Sequence, residues 1–244
     1  MSSSRFSEYM TEGFSKVQGW VNPNVFSVMQ GLVPLQNSMS ILGGVCEIGV
    51  HHGKFFIGIH NLNNLGHKSL AIDIFDEQHL NIDSSGKGNL KAFQENVANY
   101  CLNSDLCSYK IADSLSLNLY DIHKIREEYG LFRIFSIDGG HTAEHTINDW
   151  KIAEEITANG GIIIVDDYYN PNWPGVHEGI ANIFISSRPK FAPFLYSCNK
   201  MFFTTASYHK RFIDGIYEYA KTELRCKTPV VKYLYGHKMV CIKF

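Results

Sequence analysis

Carboxylates close nearly every apolar run in the first two thirds of this sequence, and a histidine stands among them. Glu47-Ile-Gly49-Val50-His-His-Gly53 ends the run that starts at Val45, and Asp73 ends the run from Leu70. Ala112-Asp113-Ser114 ends the run from Cys107, Ile137-Asp138-Gly-Gly-His141 the run from Phe132, and Asp166-Asp167 follow Ile162-Ile-Ile-Val165. The first glycine turn lets backbone approach a ligand closely. Its spacing is GxxxG rather than GxGxxG, and a carboxylate at Glu47 would repel a pyrophosphate, so it suits a cationic or amine-bearing ligand. A plain strand-to-helix turn is the alternative. Asp73 can accept hydrogen bonds from both hydroxyls of a ribose, or cap the turn that follows it. Asp113 can take the exocyclic amine of an adenine, or cap the next helix.

Asp138, Asp166 and Asp167 form the denser group. If their strands are neighbours, the strand ends lie about 4.8 Å apart, and three carboxylates in one small region require a neutralising cation. Hard oxygen donors in that number suit Mg²⁺ with positions left for water and substrate; helix caps plus one solvated aspartate are the alternative. His141, three residues past Asp138, is within reach of the same place and titrates near neutrality, so it is the candidate general base. His141 and His145 have helical spacing but no HExxH glutamate, and Glu144 with Asp149 reads as a solvated helix face. The aromatic stretch Tyr168 to Val176 is expected to line a pocket or to form a packed connection.

These residues need a frame. From about residue 45, short β-type runs alternate with longer amphipathic stretches, the pattern of βαβ units winding a parallel sheet. Strands are expected at Val45–Gly49, Leu70–Ile74, Cys107–Ala112, Phe132–Asp138 and Gly161–Asp166. Helices are expected near Lys54–Leu62, Gly88–Cys101, Leu115–Tyr129 and Thr142–Thr157. This is a doubly wound, mostly parallel α/β sheet, in which ligands bind outside the C-terminal ends of the strands. A hairpin turning at Cys198-Asn199-Lys200 is expected to close one edge. A helix over Tyr208–Leu224 and a second hairpin, Val231–Leu234 with Met239–Ile242, finish the chain, and the pattern leaves open which hairpin joins the main sheet. Residues 1–40 form an amphipathic preamble or cap, and 41–244 the main domain.

The chain has 244 residues, room for one large domain with a sizeable core. A formal net charge of −2 without long runs of one sign removes the electrostatic footprint of a nucleic-acid binder. No apolar stretch is long enough for a membrane helix, and the first residues lack a secretory pattern, so a cytoplasmic location is expected. Cys46, Cys101, Cys107, Cys198, Cys226 and Cys241 show no CxxC pair and read as reduced core thiols.

Taken together, these residues resemble the class I S-adenosylmethionine-dependent methyltransferases, and among them the metal-dependent sugar O-methyltransferases of the macrocin and mycinamicin type. The resemblance runs from about Gly44 to Ile180. Glu47 through Gly53 resembles the family's first motif, which implies cofactor contacts at Glu47, Gly49, Val50 and Gly53. Asp73 matches its ribose-binding acid, and Asp113-Ser114 its adenine-binding position. The stretch from Ile137 to Tyr168, with Pro174-Gly175-Val176 beyond it, is the most specific match. It implies Mg²⁺ or another divalent cation at Asp138, Asp166 and Asp167, with Asp138 and His141 in catalysis and His141 as base. Some members carry an aspartate where this chain has Gly140. The implied fold is Rossmann-like, the implied cofactors are S-adenosylmethionine and Mg²⁺, and the implied acceptor is a hydroxyl of a small molecule or sugar, a catechol being an alternative. A homodimer through the aromatic preamble is also an expectation. The competing readings are an NAD-binding oxidoreductase of related fold and a non-catalytic cofactor-binding protein.

Overall fold

Strands covered on both faces must be apolar along their whole length, and four of the apolar runs meet that condition. Val45–Ile48 (β1), Ser69–Asp73 (β2) and Phe132–Ile137 (β4) are buried throughout, and Thr157–Val165 (β5) is buried from Gly160 onward. The computed structural model describes residues 4–63, 66–224 and 229–244. Among the described residues one nine-stranded sheet has the order β3-β2-β1-β4-β5-β7-β6-β9-β8. Cys107–Ile111 (β3) is its partly exposed edge. β1 to β5 run parallel, and the strand order reverses between β1 and β4, where Ile48 pairs with Ile137.

The expected hairpin is Phe191–Ser197 (β6) and Lys200–Thr205 (β7), with β7 antiparallel to β5. Cys198 and Asn199 both have positive φ in its two-residue turn, as a tight hairpin requires. The sheet does not stop there. His237–Ile242 (β9) lies parallel to β6, and Val230–Leu234 (β8) pairs outside it, so both hairpins belong to the main sheet. Alternating apolar residues specify which face of a strand is buried and are silent on which edge it joins.

The crossovers are Lys54–Asn63 (α3), Leu90–Tyr100 (α4), Leu119–Tyr129 (α5) and Ala143–Ile156 (α6). Pro174–Ser186 (α7), a helix beyond those expected, follows the aromatic stretch; Pro174 occupies its first turn and Val176, Ile180 and Ile183 are its buried stripe. His209–Thr222 (α8) packs with α3 and Asn24–Ser38 (α2) on the other face of the sheet. Ser4–Glu8 (α1) precedes them.

The fully buried Arg133 of β4 fastens α2 to the sheet. Its guanidinium donates to Gln36 Oε1 at 3.0 Å, Asn37 Oδ1 at 2.8 Å and the Val33 carbonyl at 3.0 Å. Cys46 and Cys101 are buried, but Cys107, Cys198 and Cys241 are partly exposed, because they sit on outer strands or a turn rather than in the core. Cys226 and residues 1–3 of the expected preamble lie outside the described residues. No helix among the described residues is long and apolar enough to cross a membrane.

Candidate active site

At the switch point, where β1 and β4 pair side by side, a cavity of about 660 Å³ opens over the C-terminal ends of the parallel strands. Gly49 has φ +82°, and a Cβ there would stand 1.8 Å from the Asp138 carbonyl oxygen, so only glycine lets the two strand ends approach this closely. Gly53, at φ +88°, immediately precedes α3, and Val50 between the two glycines is buried.

Glu47 is 1% exposed and lines the cavity. Ser136 Oγ donates to its Oε1 at 3.0 Å, while Oε2 has no hydrogen-bond partner among the described residues. Burial, reinforced by Asp138, pushes this carboxyl well above the usual range against the opposing pull of Lys200 and Ser136. Asp73 accepts the backbone N–H of His51 at 2.8 Å and of Phe75 at 2.6 Å, so it does organise the glycine turn, and it also lines the cavity. Asp113 caps the turn at Ser114–Ser116 by accepting the Leu115 N–H at 3.0 Å, and both Asp113 and Ser114 line the cavity. Both aspartates therefore hold the local turn and also line the cavity.

β4 and β5 are neighbours, and Asp138, Asp166 and Asp167 converge as their strand ends do. Lys200 is not among the residues expected here. The β6–β7 turn brings this 2%-exposed lysine into the site, where its ammonium binds Asp166 and sits 4.6 Å above the Phe55 ring. Burial opposes its charge, but Asp166, Asp138 and Glu47 together raise its pKa. Burial raises the Asp166 carboxyl against the pull of Lys200. Part of the neutralising cation demanded by the crowded carboxylates is therefore built into the chain, and Asp166 is committed to it.

Asp138, His141 and Asp167 remain as a group whose donor atoms lie within 4.8 Å of one another. His141 Nε2 is 3.7 Å from Asp138 Oδ1 and 3.4 Å from Asp167 Oδ2. Its Nδ1 lies 2.6 Å from Asp83 Oδ2, which also accepts the His141 backbone N–H at 2.9 Å. Trp173 stacks on the ring at 4.3 Å. Burial works against the imidazolium, but Asp138, Asp167 and Asp83 raise its pKa to about 10. Burial likewise opposes the Asp83 charge, and hydrogen bonds from Ser85 and His141 bring Asp83 down to about 2. Asp167, at φ +54°, takes side-chain hydrogen bonds from Asn170, at 2.9 Å, and Asn199. Two carboxylates and an imidazole at this spacing are a donor set that a divalent cation fits.

The position of two residues here follows from the hairpin. Because β7 runs antiparallel to β5, the β6–β7 turn must lie beside Asp166, which brings Asn199 and Lys200 in. Asp83, in the polar segment between β2 and α4, had no periodic signal at all. One expectation is overturned: Asp149 does not lie on a solvated face but is fully buried on α6 beneath Gly139, and burial pushes its carboxyl up to about 7.

A family model described as a methyltransferase domain matches residues 46–168, half of the chain and the half that holds most of these residues. No curated protein matches the sequence. Among solved structures, the O-methyltransferase NovP superposes with a TM-score of 0.60 at 14% identity, covering 75% of this chain and 79% of its own. An O-methyltransferase from Bacillus cereus, solved with S-adenosylhomocysteine (SAH), gives 0.53 at 16% identity over 83% and 90%. The mycinamycin-pathway methyltransferase MycE, solved with Mg and SAH, gives 0.53 at 16% identity over 82% of this chain and 54% of its own. At these identities the likeness is one of fold.

Proposed function

The chain belongs to the methyltransferase-domain family, and from that premise we propose that it is an S-adenosylmethionine-dependent O-methyltransferase acting on a hydroxyl of a small molecule or sugar. The observation that carries this reading is that a single cavity is lined by two groups, the acids Glu47, Asp73 and Asp113 at the ends of β1, β2 and β3, and the acids Asp138 and Asp167 with His141 at the ends of β4 and β5. The first group suits a ligand with a cationic centre, a ribose and an adenine. The unpartnered Oε2 of Glu47 favours an ammonium or sulfonium and would oppose the pyrophosphate of a dinucleotide, which is why an NAD-linked reaction is not favoured.

Bound S-adenosylmethionine supplies an electrophilic methyl group. The chain's own residues must hold an alcohol in line with it and accept the alcohol's proton. Asp138 and Asp167 would hold a divalent cation, which would lower the pKa of an acceptor hydroxyl brought to it. Asp83 fixes His141 through Nδ1 and leaves Nε2 turned toward the two aspartates. With those carboxylates holding a cation, they would not keep a proton on the imidazole, and Nε2 would be open to one from the acceptor. Lys200 keeps Asp166 in place and lowers the density of negative charge beside the reacting oxygen. Trp173, stacked on His141, offers a flat apolar wall suited to the C–H face of a sugar ring.

The test is SAH release from S-adenosylmethionine across glycosides, vicinal diols and catechols, each with Mg²⁺ and with EDTA. Turnover on a hydroxylated acceptor that EDTA abolishes supports the reading. Undiminished turnover in EDTA would remove the cation, and transfer confined to amines would remove the O-methyl assignment.

A further inference from the structure

At the opposite end of β2 and β3, roughly 13 Å of strand from the cavity, three donors from three different elements converge. His60 comes from α3, Cys101 follows the last turn of α4, and Cys107 begins β3; their donor atoms lie within 4.8 Å of one another. His60 and Cys101 are buried and Cys107 is partly so. None of the three lines the active-site cavity.

The surroundings hold these donors in place. His60 Nε2 is 2.8 Å from the Leu102 carbonyl, the outer hydrogen bond that fixes the ring of a metal-ligating histidine. That would leave Nδ1 as the donor; the Ser69 hydroxyl now stands 2.9 Å from it, and Ser69 is the register partner of Cys107. Asn61 clamps the backbone on both sides of Cys101, donating to the Tyr100 carbonyl at 2.9 Å and accepting the Leu102 N–H at 2.8 Å. The Cys101 thiol, then the His60 ring, holds the Cys107 sulfur down to about 6, so it is available as the thiolate that soft cations bind. Burial opposes a charge on His60, but its contact with Cys107 raises the ring's pKa. A small cavity of about 10 Å³, lined by His60, Gly66, His67 and Leu102 among others, opens beside the imidazole and has room for one water.

We propose that His60, Cys101 and Cys107 form a zinc site with three protein donors and a fourth position for water. Two sulfurs and one nitrogen are a zinc-type donor set rather than a magnesium-type one, which separates this site chemically from the oxygen-rich group around Asp138. Binding exchanges the cation for the protons held by Cys101 and by the His60–Cys107 contact, with no change of oxidation state. The bound ion would staple α3, the end of α4 and the edge strand β3 together. This inference stands apart from the methyl-transfer reading and does not rest on it.

The test uses the full-length, reduced, EDTA-stripped protein titrated with Co²⁺ as a spectroscopic probe and then with Zn²⁺. A near-ultraviolet thiolate-to-cobalt band should saturate at one equivalent, disappear on adding Zn²⁺, persist in Asp138→Asn and vanish in Cys107→Ser. Zn²⁺ should also slow alkylation of Cys107 in the wild-type protein by about tenfold or more, mapped by mass spectrometry, a readout that needs no variant to fold. No band at one equivalent, a band that survives Cys107→Ser, or alkylation of Cys107 indifferent to Zn²⁺ would each overturn the site.

Discussion

Lys200→Met should be among the most destabilising single changes in the site. The lysine is 2% exposed and its ammonium binds an aspartate that is itself 9% exposed. Methionine keeps most of the stem's volume over Phe55 but removes the charge, leaving Asp166 beside Asp138 and Asp167 without its cation. Removing one partner of a buried ion pair costs about 3–5 kcal/mol, a large part of the about 5–15 kcal/mol that holds a domain together. Burial already raises Asp166 in the native protein, so the orphaned carboxyl should protonate, and the loss should be largest at pH 8 and smaller at pH 5. Urea unfolding at the two pH values measures this, with an unchanged m-value as the check on two-state behaviour. The double variant Asp166→Asn, Lys200→Met removes both charges and should recover most of the loss. A loss below about 1 kcal/mol in the single variant, or a double variant that falls as far as the sum of the singles, would refute the assignment of Lys200 as the built-in counter-ion.

Asp83→Asn keeps the size of the group that holds His141 Nδ1 but removes its charge; kcat should fall about 10- to 100-fold with SAH affinity unchanged, and a change confined to KM would contradict a positioning role. His141→Ala should lower turnover far more than cofactor affinity, and an unchanged rate would remove it from the reaction. For Asp149 the sign follows from a folded pKa of about 7 against an unfolded value of 3.8. The folded state prefers the protonated acid, so stability is greatest below about pH 4 for this group and is lost progressively up to about pH 7. A shift of about three units corresponds to about 4 kcal/mol. Asp149→Asn should flatten that slope in urea unfolding, and an identical slope in the variant would contradict it. Gly49→Ala should destabilise the protein and abolish SAH binding, because the added Cβ meets the Asp138 carbonyl at 1.8 Å; a folded variant with native affinity would show that the strand ends are not packed as described.

The sequence was most informative where a strand is buried on both faces. The runs at Val45, Leu70, Phe132 and Ile162 became β1, β2, β4 and β5, and the acids at their ends face one cavity because parallel strands expose their C-terminal ends together. It was less informative where position depends on pairing across long stretches of chain. Nothing local in Val230–Leu234 or His237–Ile242 selects β6 as the partner. α7 is legible in principle from Pro174 and the Val176, Ile180, Ile183 spacing, but the aromatic residues before it are equally compatible with a continuing loop. Within the site, the clustering of Asp138, Asp166 and Asp167 followed from strand order. The identity of the group that neutralises Asp166 did not, because Lys200 lies 34 residues away and reaches it only through the hairpin. For Asp149 the helical spacing points to a charged, solvated face, and only the fold shows that its side chain turns beneath the Gly139 backbone.

The measurement closest to the central claim is calorimetric titration of the EDTA-stripped protein with SAH, repeated in Glu47→Gln and Asp73→Asn and repeated with Mg²⁺ added. The expected result is saturable binding at one site, weakened at least tenfold by Asp73→Asn, with a separate Mg²⁺ heat that is lost in an Asp138→Asn, Asp167→Asn double variant. The absence of SAH binding to the folded wild-type protein, with NADH binding in its place, would contradict the methyltransferase reading of the cavity.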